Sequence, residues 1–81
     1  VSVWTITSRM DNQNPAGHEY AAQLIHDLID PDGNLVATGM TDTDCLLALE
    51  ARAGGDIEVT VKSGALGRTA DETTTVGALL A

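Results

Sequence analysis

The side chains best equipped for chemistry are His18, His26 and Cys45, together with the oxygen-rich run Asp30-Pro31-Asp32-Gly33-Asn34. Two histidines four residues apart on one helix face, with a glutamate beside the first, hold zinc and activate a bound water. His18 and Glu19 begin such a pattern, but no histidine follows at that spacing, and His26 falls about two turns further along a helix. His26 and Asp27 are chain neighbours, and adjacent helix positions point in different directions, so they do not make a dyad. Both histidines therefore read as surface residues of a helix.

Asp30, Asp32 and Asn34 share the alternating oxygens of a calcium loop, but glycine does not follow Asn34 and the distal carboxylate is missing. A helix exit followed by a turn accounts for the run with fewer assumptions, because proline cannot continue a helix and glycine permits a sharp reversal. Asp42 and Asp44 suit the positive end of a helix as well as they suit a cation. Cys45 begins an apolar stretch outside any nucleophile motif and reads as a small buried hydrophobe. Neither a phosphate-cradling loop nor G-x-S-x-G occurs, so no catalytic residue, metal ligand or cofactor is assigned.

Composition narrows the remaining classes. The chain has 81 residues, a length that fits one domain spanning 1–81. Its 43% hydrophobic content supports a core, but one Trp, one Tyr and no Phe leave aliphatic packing to supply most of the burial. Twelve acidic residues against four Lys or Arg give a net charge of −8, which opposes direct contact with a nucleic-acid backbone. A single cysteine excludes an internal disulfide and favours a reducing, cytoplasmic setting. No long apolar span or secretion-signal pattern is present, so no membrane association is expected.

The elements that must position these residues begin with a strand over the first eight residues, where Trp4 and Ile6 share a face. Asn14 and Pro15 suit the start of a helix. Tyr20, Ala21, Leu24, Ile25, Leu28 and Ile29 then recur about one turn apart, which predicts a helix ended by Pro31 and Gly33. A hairpin competes with that reading: the same interval makes two antiparallel strands around a turn, with Tyr20, Ala22, Leu24, His26 and Leu28 on one side. Leu35–Thr38 reads as a short strand bounded by Gly39. A helix over Asp42–Ala53 follows, capped by Thr41 or Thr43, with Cys45, Leu46 and Leu49 on its apolar face and Leu47, Ala48 and Ala51 broadening that face toward another chain. Gly54 and Gly55 break it before the alternating strand "DIEVTVK", with Ile57, Val59 and Val61 on one face. In the tail, a Thr69–Glu72 capping box and Val76, Leu79 and Leu80 favour a short helix, whereas Thr73, Thr74 and Thr75 favour extension.

The expected fold is a small α/β domain in the order β-α-β-α-β, with helices covering a short sheet and an additional C-terminal helix. The expected function is a protein-interaction or assembly module, either viral or accessory, that joins aliphatic packing to acidic orientation. Trp4 and Tyr20 are candidate aromatic anchors, and Asp27, Asp30, Glu50 and Glu58 are candidate charged contacts. The partner is a protein, and a second copy of the chain covering an apolar face or open sheet edge is one such partner. Two other readings compete: an acidic mimic of nucleic acid that inhibits a basic protein, and a small metal-dependent enzyme built on His18, His26 and the Asp30–Asn34 run.

Overall fold

The computed structural model describes residues 3–11 and 23–81. The readings placed on Asn14, Pro15, Gly17, His18, Glu19, Tyr20, Ala21 and Ala22 lie outside the described residues. Among the described residues, five strands and two helices form a mixed α/β arrangement: β1 (Val3–Asp11), β2 (Gln23–Ile29), β3 (Leu35–Met40), α1 (Asp42–Ala53), β4 (Glu58–Val61), β5 (Glu72–Thr75) and α2 (Val76–Leu80), with a short 3₁₀ turn at Ala65–Gly67. The sheet order is β3-β2-β1-β4-β5. The β1–β4 pair is parallel, and every other pair is antiparallel.

The helix expected through Ile29 is replaced, over Gln23–Ile29, by a strand in register with β1 from Thr5↔Ile29 to Asp11↔Gln23. The physical reason is that both faces of β2 carry aliphatic residues. Ile25 and Ile29 lie half-buried on one face while Leu28 is fully buried on the other, so the apolar positions imitate a helical stripe. From Gln23 on, the hairpin reading describes the chain: Leu24, His26 and Leu28 share a face, and Asp30–Asn34 turns the chain antiparallel into β3, while its positions Tyr20 and Ala22 lie outside the described residues. Asp30 Oδ1 accepts from the amides of Asp32 and Asn34, and Gly33 takes a φ of 89° that a side chain would resist.

β3 runs past its expected end. Gly39, at φ 74°, lies inside the strand, where the pairing jumps from Leu28↔Ala37 to His26↔Met40 and leaves an extra residue on β3. After Thr41, α1 spans the expected residues, but its buried face is narrower than expected: Cys45, Leu46 and Leu49 are buried, whereas Leu47 and Ala51 lie on the solvent side of the helix and are exposed. The Thr41 hydroxyl accepts from Asp44 N–H, Asp42 and Asp44 occupy the first turn, and Arg52 occupies the last, all arrangements that complement the orphan amides and the helix dipole.

Strand alternation builds the core. Register places Ile6 between Leu28 and Val61, and Trp4 beside Val59, on the covered face. Cys45, Leu46 and Leu49 of α1 and Val76 of α2 close over these strands, with Trp4 and Ile57 packed at the margin. Among the described residues, every fully buried large side chain is aliphatic or cysteine, each aliphatic one contributing roughly 1.5–3 kcal/mol through burial. The tail satisfies both of its competing tendencies. The threonines pair with β4 as β5, where Thr60 and Thr73 hydroxyls meet at 3.0 Å, and Thr75 then caps α2 by accepting from Ala78 N–H. The capping box expected at Thr69 and Glu72 is absent because Glu72 already belongs to β5. Among the described residues, no helix is long and apolar enough to cross a membrane.

Candidate functional site

The two helices and the 3₁₀ turn all lie on one face of the sheet. α1 and α2 bury Leu49 and Val76 against Ile6, Leu28, Val59 and Val61, and the amide of Leu66 in the turn bonds His26 on that same side. Among the described residues, nothing covers the opposite face. It presents Thr5, Thr7 and Arg9 of β1, Ile25, Asp27 and Ile29 of β2, and Glu58 and Thr60 of β4. Hydroxyls, charged groups and β-branched carbons give this face mixed polarity.

One polar group on that face is already built. Arg9 Nε donates to Asp27 Oδ2 at 3.1 Å, Arg9 Nη2 donates to Thr38 Oγ1 at 3.2 Å, and the Thr38 hydroxyl donates to Asp27 Oδ1. Strand alternation makes this possible: Ala37 pairs with Leu28 on the covered side, so Thr38, the next residue, falls on the open side beside Asp27. Burial of Asp27 raises its carboxyl. The hydrogen bonds from Thr38 and Arg9, the Arg9 charge and the Gly39 amide outweigh burial and hold it below the ordinary carboxylate range. The clamp therefore joins three strands with a carboxylate whose own side chain is only 14% exposed.

On the covered side His26 is 4% exposed, correcting its expected place on a helix surface. Strand alternation turns it inward beside Leu28. Its Nδ1 lies 3.3 Å from the Met40 carbonyl, and its Nε2 accepts from the Leu66 amide at 3.2 Å. Only a neutral ring with its proton on Nδ1 satisfies both contacts. Leu66 is the one non-glycine residue with positive φ among the described residues, at 52°, a conformation worth about 1–2 kcal/mol of strain. Gly64 beside it, at φ 90°, approaches β1 so closely that a Cβ there would sit 3.3 Å from Ser8 Oγ.

The candidate contact residues do not converge on one patch. Trp4 is half-buried against the core, and Tyr20 lies outside the described residues. Asp27 is committed to the three-strand clamp, and Asp30 spends one oxygen on two turn amides. Glu58 stands exposed on the open face, whereas Glu50 stands exposed on α1, on the other side of the sheet. Sequence reasoning missed Arg9, Thr38 and Leu66. Arg9 and Asp27 were separately legible as charges, but their meeting depends on the β1–β2 register. Cys45 is fully buried, and that burial, helped by the Asp27 charge, pushes its thiol up to about 11, a state unsuited to nucleophilic work. No cluster of three His, Cys, Asp or Glu able to hold a metal occurs among the described residues. Comparison of the chain with protein-family models, curated proteins and solved structures finds no match.

Proposed function

We propose that this chain is a protein-interaction module that offers its uncovered sheet face to a basic partner. The observation that supports this reading is the one-sided placement of the helices, which leaves five strands with an open surface of threonines and isoleucines among the described residues. Charge favours the class of partner. Three of the four Lys and Arg side chains are engaged by Asp27, Asp71 and Glu72, whereas Asp32, Asp42, Asp44, Glu50, Asp56 and Glu58 take part in none of these ion pairs. Glu58 alone of these lies on the open face, so the surplus acts through the chain's net charge of −8, which speeds encounter with a positively charged surface.

The test is capture with the immobilised folded chain, followed by hydrogen-exchange mapping of the recovered complex. Protection of Thr5–Arg9 and Ile25–Ile29, loss of capture in Ile25→Lys and retention in Glu50→Lys support the reading. Protection confined to α1, or capture indifferent to Ile25→Lys, rejects it. Competition by duplex DNA for the same partner would shift the assignment to the nucleic-acid mimic, and a sedimentation coefficient that climbs with concentration would shift it to self-association.

A further inference from the structure

We infer that His26 is a proton-operated latch on the β4–β5 connection, releasing the turn around Leu66 when the imidazole becomes charged. Histidine is the side chain whose ordinary charge change falls between pH 5 and 8. Here the ring bridges two elements far apart in sequence: Nδ1 faces the Met40 carbonyl of β3, and Nε2 takes the Leu66 amide. A second proton has only Nε2 to occupy, and it converts an acceptor into a donor aimed at another donor.

The surroundings offer the charged form little. Ser8 lies opposite on β1, and β3 supplies only the carbonyl. From α1 come the buried, uncharged Cys45 thiol and the solvent-exposed Asp42 and Asp44 of the first turn. Asp27, next in β2, points to the opposite face and is held by Arg9 and Thr38. Lys62 and Arg68, flanking the turn, are exposed and paired with Asp71 and Glu72. Losing the Nε2 contact removes a support for the left-handed backbone of Leu66, so the strain stored there favours opening. The turn's own bonds, Gly64 N–H to the Arg68 carbonyl, Ala65 N–H to the Lys62 carbonyl and Arg68 N–H to the Ala65 carbonyl, do not involve His26.

The experiment is amide exchange of the intact chain at pH 7.5 and 5.5, corrected for the intrinsic rate, read at Leu66 and its neighbours. The expected result is about three- to tenfold greater opening at the lower pH, the equivalent of one ordinary hydrogen bond. His26→Gln keeps a side-chain acceptor without a titrating proton and is expected to abolish the pH response. Invariant exchange in the wild-type chain, or an equal response in His26→Gln, overturns the inference. Should that variant not fold, imidazole nitrogen shifts of the wild-type chain decide. A neutral ring protonated on Nδ1 at pH 7.5, charging in step with Leu66 exchange, supports the latch. A proton on Nε2 at pH 7.5, or charging without any change at Leu66, overturns it.

Discussion

Truncating Leu28 and Leu24 separately distinguishes a strand from a helix at the centre of this fold. On a helix the two residues lie one turn apart on one face, and their removal costs similar amounts. In β2 they also share a face, but Leu28 is fully buried between Ile6 and the helix layer, while Leu24 is 47% exposed near the end of the strand, opposite the equally open Met10. Leu28→Ala loses transfer energy and leaves a cavity, together about 2–5 kcal/mol. Leu24→Ala loses little more than a cross-strand contact, about 0.2–1 kcal/mol. A chain of this size holds roughly 4–12 kcal/mol in total, so the first substitution removes a large share of its stability. With a urea slope of about 1 kcal/mol/M, the Leu28→Ala midpoint falls by about 2 M or more and the Leu24→Ala midpoint by under about 1 M. Urea melts followed by circular dichroism supply the readout. Equal midpoint losses, or a larger loss at Leu24, would refute the packing described for β2.

Thr41→Ala removes the hydroxyl that accepts from Asp44 N–H and should cost about 0.5–2 kcal/mol, visible as a fall of several degrees in melting temperature. Asp27 titrates below its unfolded value, so its contribution is complete above about pH 4 and is lost as pH falls through the lower folded value. Acid melts of the wild-type chain should therefore steepen there relative to Asp27→Asn. Cys45 should alkylate on the order of a hundredfold more slowly at pH 8 in the folded chain than in urea, since burial suppresses its thiolate, and comparable rates would contradict that burial.

The parts legible in the sequence are those whose signals are local. Thr41, the early aspartates and Arg52 bracket α1 without help from the rest of the chain. Val59 and Val61 declare β4 by alternation. β2 was obscured because a strand with isoleucines on one face and leucine on the other matches helical spacing, and the choice is made by seven paired positions on β1 rather than by β2 itself. The same dependence on pairing hid the site. Arg9, Asp27 and Thr38 are brought together by the registers of three strands, and His26 reaches Leu66 across forty positions of sequence. No pattern in either neighbourhood announces those meetings.

The kink at Gly39 also bears on what the molecule avoids. β3 forms one border of the sheet, and a straight border with unspent amides and carbonyls invites a neighbouring chain to add another strand, then another, toward fibrils. Two supernumerary residues in β3, one between Leu35 and Ala37 and one between Ala37 and Met40, interrupt the even spacing of those groups, and the opposite border, β5, is only four residues long and begins at a glutamate. Among the described residues, lateral addition is thus frustrated at both margins of the sheet, so neither border offers a long, regular template to a second copy of the chain.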